Sequence, residues 1–108
     1  MRHGLTADTV ERIQGVLTHF PAVERALLYG SRARGDHKPG SDIDLTLCGE
    51  SLISEQLAAI ALELDDLMLP YTFDLSILDR LDHAALRRIV AREGVILYER
   101  QPRPVISG

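Results

Sequence analysis

Three aspartates at strand-like spacing are the residues best suited to chemistry in this sequence. Asp42 and Asp44 open the run Asp-Ile-Asp-Leu-Thr-Leu, and Asp74 lies in the run Thr-Phe-Asp-Leu-Ser-Ile. Strand side chains alternate between two faces, so the aspartates of both runs share a face if the two strands are neighbours. Like charges placed opposite each other destabilise a sheet, and a divalent cation compensates them. Oxygen ligands favour Mg²⁺, with Mn²⁺ as an alternative. An Asp-x-Asp pattern alone also fits a solvated sheet face.

A Gly-Ser pair upstream has the features of a phosphate site. The apolar run 26–29 predicts a buried strand, and Gly30 and Ser31 stand where that strand would pass into a short helix. A helix start offers free N–H groups and the positive end of its dipole to an anion. Arg32 and Arg34 fall in the first turn, where cations are disfavoured unless an anion is bound. The alternative is a serine N-cap with two solvated arginines.

The remaining pattern predicts the elements that hold these residues. Apolar periodicity predicts a helix over 6–20, with Asp8 and Glu11 as a capping box, and two more helices that begin at Ser54 and Asp82 as N-caps. Pro70 and Gly94 are expected to end those two helices. The predicted strands are 26–29, 42–47, 72–78 and 95–98, the short helical turn is 31–36, and the loop is 37–41. This order predicts an α/β (α+β) fold, in which a mixed sheet of about four strands has its helices mainly on one face.

Composition sets broad limits on function. The chain has 108 residues, which predicts one domain over residues 1–100 followed by a flexible tail over 101–108. A net charge of −4 argues against direct nucleic acid binding. The single cysteine, Cys48, excludes an internal disulfide and a cysteine-based metal site. The sequence has no signal peptide and no membrane-spanning apolar run, so we expect a cytoplasmic protein without membrane association.

The spacing of these motifs resembles the signature of the polymerase-β-like nucleotidyltransferases. Ten residues separate Gly30-Ser31 from Asp42-x-Asp44. The fuller run, Tyr-Gly-Ser-Arg-Ala-Arg-Gly-Asp followed by Gly-Ser-Asp-Ile-Asp-Leu, is similar to the minimal, MNT-type branch. Asp74 fits the third carboxylate of the family, on a later strand. The resemblance covers residues 24–98 without a departure at the motif positions, and it implies the fold of this family.

The resemblance also implies a reaction and a metal site. Enzymes of this family transfer a nucleoside monophosphate from a nucleoside triphosphate to an acceptor hydroxyl and release pyrophosphate. Asp42 and Asp44 would bind two Mg²⁺ ions. Asp74 would complete the site of the catalytic metal and help to deprotonate the acceptor.

The phosphates of ATP would lie against the Gly-Ser turn. The resemblance implies that Gly30 and Ser31 hold the β- and γ-phosphates. Arg32 or Arg34 would offset the charge of the triphosphate, and Arg34 is the preferred candidate.

The acceptor is expected to come from outside the chain. Larger relatives carry an additional helical region that binds the acceptor, and 108 residues leave no room for it. Small MNT proteins are paired with a HEPN RNase toxin, and the MNT antitoxin can AMPylate a tyrosine of that toxin and inactivate it. The resemblance thus implies an antitoxin that modifies a HEPN-type partner. Two alternatives stay open: an antitoxin that neutralises the toxin by binding alone, and a small-molecule nucleotidyltransferase that acts as a homodimer.

Overall fold

A four-stranded mixed sheet forms the centre of the chain. The structure, a computed structural model, describes residues 4–38, 40–80 and 84–100. The elements are α1 (Ala7–Leu17), β1 (Arg25–Tyr29), α2 (Ser31–Arg34), β2 (Ile43–Cys48), α3 (Ser54–Asp65), β3 (Phe73–Ile77), a 3-10 turn (Leu78–Arg80), α4 (Ala84–Glu93) and β4 (Val95–Glu99). The sheet order is β3-β2-β1-β4. β1 is antiparallel to both of its neighbours, whereas β2 and β3 are parallel. The predicted α/β fold with a mixed sheet is therefore confirmed.

Strand alternation builds the main core on one face of the sheet. Ile43, Leu45 and Leu47 of β2 are all 0% exposed. They belong to one apolar cluster with buried residues of β1, α1 and α3, namely Ala26, Leu28, Ile13, Leu17, Ile60 and Leu64. Burial of each large aliphatic side chain contributes about 1.5–3 kcal/mol. This face anchors the sheet and leaves the aspartate face available for a site.

The aspartate face is open at one end and buried farther along. Asp42 and Asp74 are exposed, but Thr46, two residues beyond Asp44 on the same face, is 0% exposed. α4 contacts β1, and its Val90 is 3% exposed and lies outside the apolar cluster of the first face. This places α4 on the second face, so the helices lie mainly but not solely on one face.

The start of α1 differs from the sequence prediction. Thr6 occupies the N-cap, and its Oγ1 accepts a hydrogen bond from the Thr9 N–H at 3.1 Å. The predicted capping box of Asp8 and Glu11 is wrong because the helix begins at Ala7, which makes Asp8 a residue of the first turn. The helix also ends at Leu17, before the predicted end at residue 20.

The boundaries of α3 also differ from the prediction. Ser54 is the first helical residue, and Ile53 stands at the N-cap, where its N–H donates to Gln56 Oε1 at 3.0 Å. The helix ends at Asp65, well before Pro70, and the chain then turns through Met68 with a φ of 57°. At the end of α4, the predicted stop is confirmed, because Gly94 follows the last helical residue.

Some predictions lie outside the described residues. They are the N-cap at Asp82, the loop position Pro39 and the tail over 101–108. In the part of the chain that the structure describes, no helix is both long enough and apolar enough to cross a bilayer.

Candidate active site

The turn between β1 and α2 brings Gly30 against Asp44. Tyr29, the last residue of β1, is the register partner of Asp44 on β2. Gly30 follows with φ 78° and ψ −155°, a region of backbone space that is essentially limited to glycine. A Cβ placed at Gly30 would overlap Asp44 Oδ2. The space that a side chain at Gly30 would fill is therefore occupied by the Asp44 carboxylate, and Ser31 begins α2 next to it.

The parallel pair of strands aligns the carboxylates. Asp44 on β2 and Asp74 on β3 are direct register partners. The start of this pairing is fixed by the Ile43 N–H, which donates to the Thr72 carbonyl at 2.9 Å. Asp42 immediately precedes β2 and lies on the same side as Asp44 by strand alternation. The structure thus brings the three predicted aspartates together at the open end of one face.

The three carboxylates act on one another electrostatically. The pKa of Asp44 is raised, first by burial and then by the negative charges of Asp74 and Asp42, while Arg34 opposes the shift. The pKa of the Tyr29 hydroxyl is also raised, chiefly by burial, with Asp74 and Asp44 acting in the same direction. The site is therefore a region of negative potential that Arg34 offsets only in part, which favours a cation.

The donor set suits Mg²⁺ that is shared with a nucleotide. Within residues 4–38, 40–80 and 84–100, no three side chains of His, Cys, Asp or Glu are arranged to hold an ion by themselves. Mg²⁺ rarely uses such cages, since it is usually bound by one or two carboxylates together with substrate phosphates and water. Asp42, Asp44 and Asp74 offer carboxylate oxygens beside the Gly30-Ser31 turn, so the residues present fit this mode of binding.

Arg34 lies on the exposed side of α2. Its Nε is 3.2 Å from Asp36 Oδ2, and its Nη1 is 3.3 Å from Glu93 Oε2 at the end of α4. Hydrogen bonds to these two carboxylates raise the pKa of Arg34, so its charge is permanent. The role of Arg34 as a phosphate ligand stays a prediction, and the structure adds Glu93 as the residue that orients it.

Arg32 points into the protein. It is 2% exposed, and its Nε and Nη2 donate to the Ser41 carbonyl at 3.1 and 2.9 Å. Its guanidinium lies over the ring of Tyr71, at 4.8 Å from the centroid. Its predicted contact with the triphosphate stays a prediction. Sequence reasoning missed the contacts with Ser41 and Tyr71 because they depend on how α2 packs against two other segments, and no local sequence pattern marks them.

Comparison with known proteins establishes the family. Residues 11–103 match the family model described as polymerase beta, nucleotidyltransferase. The chain belongs to this nucleotidyltransferase family. The match extends over the Gly-Ser turn and all three aspartates. No curated protein sequence matches the chain.

Solved structures share the fold of this nucleotidyltransferase. A toxin-antitoxin structure with AMP-PNP has a TM-score of 0.69 at 21% identity, covering 90% of this chain and 76% of the other. The MntA-HepT toxin-antitoxin gives 0.66 at 20% identity, covering 89% and 74%. A tri-AMPylated HEPN toxin in complex with MNT antitoxin, from Shewanella oneidensis, gives 0.64 at 21% identity, covering 86% and 71%. The predicted membership in the polymerase-β-like nucleotidyltransferases is confirmed by the family model, and these toxin-antitoxin structures share the fold of the chain.

Proposed function

We propose that this nucleotidyltransferase is an Mg²⁺-dependent adenylyltransferase that acts as the antitoxin of a HEPN RNase toxin. It transfers AMP from ATP to a tyrosine hydroxyl of the toxin in the cytoplasm and thereby inactivates it. The observation that carries the proposal is the register pairing of Asp44 with Asp74, directly beside the Gly30-Ser31 turn.

The carboxylates and the Gly-Ser turn have separate tasks in the reaction. Ser31 and the backbone at Gly30 would bind the β- and γ-phosphates, and Asp42 and Asp44 would hold Mg²⁺. When bound, this ion would supply positive charge that offsets the phosphates and lowers the pKa of the acceptor hydroxyl. Asp74, which is exposed and therefore within reach of an acceptor, accepts the hydroxyl proton.

The bond changes balance without a further reactant. The acceptor oxygen attacks the α-phosphorus of ATP, and a new P–O ester bond forms. The bond between the α-phosphorus and the bridging oxygen of the β-phosphate breaks, and pyrophosphate leaves. The proton of the hydroxyl passes to Asp74 and then to water.

Two structural neighbours support this choice of nucleotide and partner. One is a toxin-antitoxin crystallised with AMP-PNP, an analogue of ATP. Another contains a HEPN toxin that carries three AMP groups, in complex with MNT antitoxin. Because this chain shares the fold of these proteins, they support ATP as the donor and a HEPN-type toxin as the acceptor.

The test is an intact-mass measurement on a reconstituted pair. The chain is incubated with ATP, MgCl₂ and a HEPN-type toxin, and the masses of both proteins are followed. We expect a gain of one or more AMP groups on the partner and loss of its RNase activity. Both changes should disappear with Asp74→Asn and persist with Asp8→Asn, which changes an exposed aspartate of α1 in the same way.

Two other outcomes would overturn the proposal in different ways. Neutralisation of the toxin by an Asp74→Asn variant, without any gain in mass, would assign a purely binding antitoxin. AMP transfer to small hydroxyl compounds, with the partner unmodified, would assign a small-molecule enzyme. In that second case, sedimentation would determine whether the active species is a homodimer.

A further inference from the structure

Arg32 is a buried charge that the catalytic roles above do not use. The side chain is 2% exposed, although an arginine buried without hydrogen bonds destabilises a protein by several kcal/mol. It lies next to Ser31, yet it points away from solvent and into the protein. We therefore expect this charged side chain to make contacts that an apolar side chain could not make.

Two segments that lead into the carboxylate strands contact the guanidinium of Arg32. Both Nε and Nη2 donate to the carbonyl of Ser41, the residue directly before Asp42. The same group lies over the ring of Tyr71, which precedes β3 and Asp74. Because Arg32 itself belongs to α2, this one side chain joins the phosphate turn to the approaches of both carboxylate strands.

The N-terminal segment packs against the same guanidinium. A Cβ placed at Gly4 would lie 2.8 Å from Arg32 Nη1, so the chain passes directly beside it. The next residue, Leu5, is 1% exposed and belongs to the main core. The guanidinium is therefore enclosed by several segments of the chain and does not extend into solvent.

The geometry uses properties that distinguish arginine from lysine. A guanidinium is planar and directs several N–H groups from one fork, so it can donate twice to one carbonyl while stacking on an aromatic ring. A lysine would keep the charge but lose the fork and the stacking surface. The substitution Arg32→Lys therefore keeps the positive charge and removes the contacts with Ser41 and Tyr71, so it tests the effect of those contacts alone.

We propose that Arg32 is a positioning residue that sets Asp42 and Asp44 relative to Asp74 through its contacts with Ser41 and Tyr71. It controls the assembly of the divalent-cation site and does not bind the triphosphate itself. The inference rests on the proposed function, since it assumes that these carboxylates bind divalent cations. A misplacement of about 1 Å in such a site lowers the rate about 100-fold, so a small displacement of these carboxylates would reduce activity.

The test measures metal and nucleotide binding separately. Mn²⁺ is titrated into the chain with saturating AMP-PNP and followed by electron paramagnetic resonance, and AMP-PNP affinity is measured by calorimetry at saturating Mn²⁺. For Arg32→Lys we expect Mn²⁺ affinity to fall about 10-fold, with a changed spectrum of the bound ion, while AMP-PNP affinity changes less than about 3-fold. Tyr71→Leu should also lower the Mn²⁺ affinity and change the spectrum of the bound ion, but to a smaller extent. It serves as the second variant if Arg32→Lys does not fold. Arg12→Lys, an exposed arginine of α1, should change neither quantity.

The other outcomes overturn the inference. A loss of AMP-PNP affinity with normal Mn²⁺ binding would make Arg32 a direct phosphate ligand. A lower melting temperature with normal Mn²⁺ affinity and an unchanged spectrum would make it a purely structural residue. If the wild-type chain binds Mn²⁺ but never transfers AMP, the proposed function fails while this inference stands. If the wild type binds no Mn²⁺, both fail.

Discussion

Gly30 and Asp44 are so close that a side chain at position 30 would push the Asp44 carboxylate aside. A Cβ at Gly30 would overlap Asp44 Oδ2 and would lie 3.3 Å from its Cγ, and the backbone at Gly30 has a φ of 78°. The Gly-Ser turn and the central carboxylate of the site are thus one packed unit. A substitution at Gly30 is therefore expected to displace the Asp44 carboxylate.

Gly30→Ala is expected to lower the free energy of unfolding by about 1–3 kcal/mol, because a residue with a Cβ is strained in this region of φ and ψ. It should also weaken AMP-PNP binding, since Asp44 must move. Gly15→Ala is the matched control: Gly15 lies within α1 with no atom within 4 Å of an added Cβ. That change should stabilise the protein by about 0.5–1 kcal/mol. Urea unfolding of both variants gives the comparison, and a Gly30→Ala variant as stable as wild type would contradict the strain.

Asp44→Asn is expected to stabilise the metal-free protein at pH 8. The pKa of Asp44 is raised in the folded state, so its protonated form favours folding, and that contribution is lost as the pH rises through the folded pKa. The carboxylate is partly exposed, so screening limits the gain to about 0.5 kcal/mol. Urea unfolding in EDTA should show this gain at pH 8, and the gain should shrink as the pH falls toward the pKa of an unfolded aspartate, about 4. A variant less stable than wild type at pH 8 would contradict the predicted charge repulsion.

Thr46→Val is expected to stabilise the protein by about 1 kcal/mol. Thr46 is 0% exposed, and its Oγ1 has no hydrogen-bond partner among the described residues. Valine has nearly the same shape and removes the buried hydroxyl. Thr9→Val is the control, because the Thr9 hydroxyl accepts a hydrogen bond from Thr6 Oγ1 at 3.0 Å and its loss should destabilise the protein. Thermal unfolding that moves both variants in the same direction would contradict this difference.

Arg34→Ala is expected to weaken AMP-PNP binding about 10-fold, as befits the loss of a charged hydrogen bond to phosphate. Its ion pairs with Asp36 and Glu93 are exposed, so the melting temperature should change little. Arg12→Ala removes a comparable exposed ion pair, that with Asp8, and should leave AMP-PNP binding unchanged. Calorimetry decides the matter: equal affinities for Arg34→Ala and wild type would exclude Arg34 as a phosphate ligand.

Strand periodicity was enough to predict much of the fold and the alignment of the carboxylates. The alternation in β2 separates the fully buried Ile43 and Leu45 from Asp44. The pairing of Asp44 with Asp74, however, was conditional on the two strands being neighbours. That condition depends on the parallel connection through α3, which no local pattern specifies.

The role of Arg32 could not be predicted from the sequence, because an arginine in the first turn of a helix normally remains solvated. Its burial depends on the Ser41 carbonyl and the Tyr71 ring, which come from other segments. The N-cap of α3 was mispredicted for a different reason. Ser54 has a suitable side chain for an N-cap, but the helix starts one residue earlier, with the N–H of Ile53 donating to Gln56 Oε1.

If the paired carboxylates of β2 and β3 bind Mg²⁺ and ATP as proposed, these ligands also protect the protein against unfolding. Asp44 and Asp74 repel each other in the ligand-free chain, and a chain that binds Mg²⁺ and ATP there is stabilised in proportion to the logarithm of their concentrations. β3 is an edge strand, held by β2 on one side only. Local opening of this edge would expose the chain to proteases most readily when nucleotide is scarce. An antitoxin with this arrangement would be degraded faster in an energy-depleted cell, which is when its toxin would be released.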